Sequence, residues 1–261
     1  MPLISVHIIN MDGEEQRASA IAAQFPQDGR FVVYRSRGVP GSILPHVAAD
    51  VLTRAPGYHA VGLGTLGVFL AHVAAWETIA AGSFESALIL EDDAIVFYLD
   101  IFNSDTFPND WELIFCNAMM DPEPIDDNKT FDRIVYVPID FSLRALHARD
   151  SKAVGGYGYF IRRHAAQKLL DTVRKDWFFG HVDWRILRYC VTPELLEKII
   201  PNTNIADIIR GAHRQPFAWG VLTAYAASPA LVRHAAGALR RSSEDERARM
   251  ATKVEQDQTG V

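Results

Sequence analysis

Cysteine is scarce, two in 261 residues, and that excludes a disulfide framework. Cys116 and Cys190 fit no zinc spacing, and Cys116, inside Leu113-Ile114-Phe115-Cys116, reads as a buried thiol in a reducing compartment. There is no basic excess either. Lys and Arg number 26 against 32 Asp and Glu, for a formal net charge of -6. Nucleic-acid binders display a basic surface that neutralises phosphates, so no nucleic-acid partner is expected. No uninterrupted apolar run approaches the roughly 20 residues that cross a bilayer. Met1 to Ile9 has no basic start, and its apolar stretch is too short for a secretory signal. The expectation is a cytoplasmic protein, soluble or at most in peripheral contact with the inner membrane. No internal repeat, low-complexity tract or linker divides the chain.

What is present suits a packed domain. Hydrophobic residues make up 49% and charged residues 22%, an ordinary globular balance. Residues 3–9 read as a buried strand. Asp12 followed by Glu15 resembles a capping box opening a helix through Ile21 and Phe25. Phe31 to Tyr34 is a second strand, so the chain opens strand, helix, strand, the order of a parallel sheet flanked by helices. Leu66, Phe69, Leu70, Val73, Trp76 and Ala80 have helical spacing between Gly64 and Gly82. Further strands are expected at 86–90, 111–116, 134–137 and 157–161, and helices at 164–173, 182–189 and 193–200. The fold class is α/β, with one catalytic-size domain over 1–235 and a polar C-terminal helix or tail over 236–261.

The informative junction is Ala87-Leu88-Ile89-Leu90 running into Glu91-Asp92-Asp93. Adjacent acids repel unless solvent or a cation offsets them. Ligand groups in α/β sheets gather at the carboxyl ends of strands. Magnesium-like cations take one or two carboxylates together with substrate phosphates. Glu91 and Asp93, one residue apart, project to the same side of an extended segment, so they are the candidate metal ligands. Asp92 beside them, with Glu91, is a candidate for contacting a bound nucleotide. A solvated acidic turn is the plain alternative.

Other residues carry chemistry on their own terms. Gly155-Gly156 before Tyr157-Gly158-Tyr159 permits close backbone approach to a sugar or diphosphate, or tight strand-to-helix packing. Tyr157 and Tyr159 share a face if that segment is extended. Asp183 lies among aromatics in Phe178 to Trp184 and suits a general base. An acid in a first helical turn, favoured by the macrodipole, is the alternative. His213, among Arg210 and Arg214, is a candidate to complete a metal shell, or part of a solvated basic loop.

Three segments, taken in order, resemble glycosyltransferase family 25. They are Gly64-Thr65-Leu66-Gly67-Val68-Phe69-Leu70-Ala71-His72 with Trp76, then Ala87 to Ala94, then Gly155 to Ile161 leading into Ala165, Ala166, Leu169 and Leu170. Val6 to Asn10 with Arg17 looks like the family's first strand and helix, and the similarity spans about residues 3 to 230. That family includes bacterial lipopolysaccharide and lipooligosaccharide galactosyltransferases and the collagen galactosyltransferases. The resemblance implies a GT-A type fold, a Rossmann-like mixed sheet flanked by helices. It implies inverting transfer from a nucleotide-sugar donor, commonly UDP-galactose, to a saccharide or lipid-linked glycan acceptor, with Mn2+ or Mg2+. It places Gly64, Gly67 and His72 at the donor pocket. The family's first motif often reads Gly-x-x-Gly-Cys-x-x-Ser-His; here Val68 stands at the Cys position and Ala71 at the Ser position. Two rival readings stand beside this one: a non-catalytic sugar- or nucleotide-binding relative, and a metal-dependent phosphohydrolase using the same acids.

Overall fold

A computed structural model describes residues 3–44, 63–121, 130–148, 157–175, 181–195 and 218–234. Strand β1 (Ile4–Asn10) is buried along its whole length, as a strand covered on both faces must be. Helix α1 (Glu15–Ala22) carries the chain back to β2 (Phe31–Arg37), which lies parallel to β1. Helix α2 (Leu63–Ala81) leads to β3 (Ser86–Glu91), parallel to β1 on its other side. Then follow β4 (Ala94–Val96), β5 (Leu113–Phe115), β6 (Val135–Pro138), α3 (Ile139–Ala148), β7 (Gly158–Arg162), α4 (Arg163–Val173), α5 (Val182–Cys190), β8 (Ala224–Ser228) and β9 (Val232–His234).

Seven strands form one mixed sheet in the order β2-β1-β3-β7-β5-β8-β6. β7 runs antiparallel to β3 and β5, and β6 antiparallel to β8. β4 and β9 pair as a small separate sheet. The α/β expectation, a mixed sheet flanked by helices, holds. Side-chain alternation along the strands divides the core into two layers. Ala87, Ile89, Leu113, Phe115, Tyr159 and Ile161 meet α2, α4 and α5 on one face. Ile4, Val6, Ile8, Leu88, Leu90, Ile114 and Phe160 meet α1 and the aromatics Phe25, Phe102 and Trp111 on the other.

Helix α2 has the length and apolarity of a membrane span. Its apolar stripe nevertheless serves the core: Leu66, Phe69, Trp76 and Ile79 are buried at helical spacing. The two glycines at its start differ. A Cβ on Gly67 would lie 2.2 Å from the Val39 carbonyl oxygen, whereas one on Gly64 would meet nothing within 4 Å. Gly67 therefore admits the backbone of residues 39–41 against the helix, a packing role that the bare Gly-x-x-Gly spacing did not disclose.

The expected capping box does not form. The N-cap of α1 is Glu14, with no side-chain cap hydrogen bond. Asp12 instead pairs with Arg35 of β2, Arg35 Nη2 to Asp12 Oδ1 being 2.7 Å. Its other oxygen is taken up by Arg37, so both carboxylate oxygens are engaged away from the helix start. Helix α3 and strands β4, β8 and β9 were not anticipated. Of the short helix expected at 193–200, residues 193–195 are helical, and the remainder lies outside the described residues.

Candidate active site

β1, β2 and β3 run in one direction, so their carboxyl ends share one edge of the sheet, and the acidic triplet closes β3 there. The first two acids meet different neighbours. Glu91 follows Ile89 onto the α2 side, where its Oε1 lies 3.5 Å from His72 Nε2. Asp92 lies in the turn after β3, so the extended segment expected from Glu91 to Asp93 is not formed, and it is held by two elements. Asn10 Nδ2, at the end of β1, donates to Asp92 Oδ2 at 2.8 Å, and Arg17 Nη1 of α1 lies 3.5 Å from Oδ1. Asn10 is itself fixed, its Oδ1 accepting from Arg35 Nε at 2.7 Å. Burial pushes the Asp92 carboxyl above the usual range, against the Asn10 hydrogen bond and the Arg17 charge, with Asp93 and Glu91 adding to the rise. Asp92 thus ties β1 and α1 to the end of β3.

Tyr157 stands beside the end of β3. Tyr157 lies just before β7, and its carbonyl accepts from the Glu91 N–H at 3.1 Å. Its hydroxyl is pushed up to about 12, first by burial, then by the negative charges of Asp183, Asp93 and Glu91 in that order, against a hydrogen bond to the Met119 backbone. Asp183 sits half-buried in the first turn of α5, the position that the helix dipole favours for an acid. Glu91 and Asp183 also act on Tyr159, whose hydroxyl burial raises well above its ordinary value.

Tyr157 and Tyr159 do not share a face, contrary to the expectation from an extended segment. β7 begins at Gly158, so Tyr157 falls outside the alternation. It packs in the α1-side layer and Tyr159 in the α2-side layer. Gly158 between them is needed for closeness, since a Cβ there would lie 2.9 Å from the Val232 side chain. That brings β9 against the base of the site.

His72 is wholly buried and meets the site through Glu91 rather than across an open surface. Gly64 is exposed at the start of α2 and Gly67 is buried beneath residues 39–41. Val68, where family 25 often has Cys, is exposed, and Ala71, where it often has Ser, is buried. Gly156 and His213 lie outside the described residues. Among the described residues no group of three or more His, Cys, Asp or Glu converges as a metal cage. The two carboxylates, Glu91 and Asp93, remain a fit for a hard cation that takes its other ligands from phosphates and water. A cavity of about 380 Å³, lined by Ser5, His7, Tyr34, Thr78 and Phe84 among others, contains none of these candidates. The site therefore takes its definition from charge and strand polarity, not from the shape of that cavity.

Sequence reasoning missed the Asn10–Arg35–Asp92 arrangement and the role of Trp76. Asn10 was open to discovery by the same rule that singled out Glu91, because it too ends a buried parallel strand. Nothing in the local sequence pairs Trp76 with Tyr159, whose contact spans 83 positions.

No protein-family model and no curated protein matches the chain. Several solved structures align with it. The apo-form glycosyltransferase GlyE of Streptococcus pneumoniae TIGR4 aligns with 91% of this chain at 11% identity and a TM-score of 0.39, and the chain spans 55% of that protein's length. Mouse xyloside xylosyltransferase 1 in its apo form aligns with 90% of this chain and 85% of its own, at 12% identity and a TM-score of 0.36. The galactosyltransferase LgtC in complex with donor and acceptor sugar analogues aligns with 90% of this chain and 88% of its own, at 10% identity and a TM-score of 0.35.

Proposed function

We propose that this protein is a metal-dependent, inverting glycosyltransferase of the GT-A type. It moves a hexose, galactose in the first instance, from a UDP-sugar to a hydroxyl of a saccharide or lipid-linked glycan. The setting is lipopolysaccharide or other cell-surface saccharide synthesis, at the cytoplasmic face of the inner membrane. The observation that supports the reading is the acidic triplet closing β3 at the carboxyl edge of the parallel trio. The resemblance of the three motif segments to family 25 supplies the donor class.

The residues divide the work by position. Glu91 and Asp93 would hold Mn2+ or Mg2+, which when bound neutralises the departing diphosphate. Asp92, engaged by Asn10 and Arg17, keeps the turn after β3 in place. Asp183 lies in the first turn of α5, on a different element from the acidic triplet. That suits a base which takes the proton of the acceptor hydroxyl as it attacks the anomeric carbon from the side opposite UDP. A carboxylate there also stabilises the positive charge that develops at that carbon.

Calorimetric titration of UDP, UDP-galactose, UDP-glucose and GDP-mannose, each with and without Mn2+, tests the reading. Manganese-dependent UDP binding that Asp93→Ala abolishes is expected. Nucleotide binding without transfer to any glycan would favour a non-catalytic relative, and release of phosphate without an acceptor a phosphohydrolase. A folded protein that binds no nucleotide overturns the assignment.

A further inference from the structure

Trp76, Tyr159 and His72, each wholly buried, form a chain of hydrogen bonds that ends at Glu91. An indole N–H can only donate. Trp76 Nε1 lies 2.9 Å from Tyr159 Oη, so the phenol oxygen accepts there. The same oxygen lies 2.8 Å from His72 Nδ1. Among the described residues these are the two polar neighbours of that hydroxyl. The phenolic proton therefore has one acceptor, His72 Nδ1. Were Nδ1 protonated instead, the phenol would keep a buried proton with no acceptor, at a cost of about 1–3 kcal/mol. Nδ1 accepts, and a neutral imidazole then carries its hydrogen on Nε2. The ring is locked as well, lying nearly parallel to Tyr159 at 14° with centroids 5.8 Å apart.

That Nε2 is buried and makes no hydrogen bond. It is aimed at Glu91 Oε1 from 3.5 Å, beyond the usual 2.7–3.2 Å of an N–H···O bond. A buried donor held just short of a carboxylate is costly, and a small rotation of Glu91 relieves it. Glu91 is free to make that rotation, since its side chain is 25% exposed while His72 is fully enclosed.

We propose that His72 is a positioning residue for Glu91. Its tautomer is set by Tyr159 and Trp76, and its Nε2–H holds one carboxylate oxygen from inside the core, leaving the other to Glu91's part in holding a cation, should one bind. The inference rests on the assignment of Glu91 to the metal and donor site. It also removes His72 from the metal ligands, because an imidazole with Nδ1 accepting and Nε2 protonated has no lone pair left for a cation. A ligating carboxylate oriented by a buried imidazole reverses the familiar arrangement in which a carboxylate orients a ligating imidazole.

The test has two independent readouts. Long-range proton–nitrogen spectra of histidine-labelled wild-type protein, without metal, report the tautomer of His72. An Nε2–H tautomer is expected, with the lock lost in Tyr159→Phe; an Nδ1–H tautomer in the wild type overturns the proposal, and this measurement needs no variant to fold. Calorimetry with UDP present then measures Mn2+ affinity. Tyr159→Phe and His72→Ala are expected to weaken it about tenfold or more, the usual effect of removing a partner of a metal ligand. His72→Gln, which restores an N–H near the Nε2 position, is expected to recover part of the loss. Unchanged Mn2+ affinity in a folded Tyr159→Phe or His72→Ala protein means that the chain only packs the core, and overturns the proposal. A wild type that binds neither Mn2+ nor nucleotide fails at the earlier step, the assignment of Glu91, whichever tautomer is found. A wild type that binds both but holds the Nδ1–H tautomer spares that assignment and refutes the relay alone.

Discussion

Glu112 precedes β5 with 11% of its side chain exposed, and three donors from two other elements converge on it. His164 Nε2 and Lys168 Nζ of α4 lie 3.0 and 2.5 Å from Oε1, and the Thr223 N–H, just before β8, donates to Oε2 at 2.9 Å. Hydrogen bonds to a charged group contribute about 1.5–3 kcal/mol when intact. Lys168 and His164 are about half exposed, so solvent screens their share toward the surface-pair range of about 0–1 kcal/mol. Glu112→Gln keeps an oxygen for the Thr223 N–H and removes the charge; it should cost about 1–2 kcal/mol. Glu112→Ala also strands that N–H and should cost about 2–4 kcal/mol. Urea unfolding at pH 7 separates the two. The pH dependence has a definite sign. Burial alone would raise the Glu112 carboxyl, but Lys168, the Thr223 N–H and His164 outweigh it and hold the group below the usual glutamate range. A depressed carboxyl contributes stability above its unfolded value of about 4.3 and loses it as pH falls through the lower folded value. Wild type should therefore lose stability faster than Glu112→Gln below about pH 4.3. Equal urea midpoints for wild type and Glu112→Gln at pH 7 would refute the reasoning.

The two glycines of α2 should separate cleanly. Gly67→Ala drives a methyl to 2.2 Å from the Val39 carbonyl and should cost about 1–3 kcal/mol by overpacking. Gly64→Ala meets open space and should gain up to about 1 kcal/mol from helix propensity; urea midpoints shifting in opposite directions are the expected result. His7, 5% exposed beside Tyr34, is lowered by burial from 6.5 to about 4. Its folded value lies below its unfolded one, so its contribution is complete above pH 6.5 and is lost as pH falls toward 4. The loss should approach about 3 kcal/mol, and a His7→Gln protein that shows the same acid sensitivity would exclude this source.

Much of the fold could be read because the central strands are buried on both faces. Ala87 to Leu90 is an unbroken apolar run for that reason, and Ile4 to Ile9 is one interrupted only by Ser5 and His7. Helices α2, α4 and α5 stood out through regular apolar spacing. β4 and β9 did not, because they are three-residue strands that exist only by pairing with each other across most of the chain. β8, Ala-Tyr-Ala-Ala-Ser, carries three alanines, which local preference does not assign to a strand. Helix α3 was legible in principle, since Ile139, Ser142 and Leu143 are its buried stripe. At the site, the position of the acidic triplet at the end of a buried strand was legible. The separate faces of Tyr157 and Tyr159 did not, because the start of β7 is set by its partners β3 and β5.

The acidic triplet is tolerable because the fold distributes it. Three adjacent carboxylates on one surface would raise one another's pKa. The end of β3 and the turn after it instead send Glu91 toward His72 and Asp92 toward Asn10 and Arg17. Asn10 is in turn held by Arg35, which also pairs with Asp12. The positive side of that network therefore lies on the α1 face, where it stabilises Asp92 and leaves Glu91 and Asp93 uncompensated by it. On the α2 face the partner is an imidazole N–H, which orients a carboxylate without cancelling its charge. Cationic partners on both faces would have made the triplet a structural clamp. Under the proposed positioning role, the His72 imidazole instead orients Glu91 and leaves its second carboxylate oxygen for a cation.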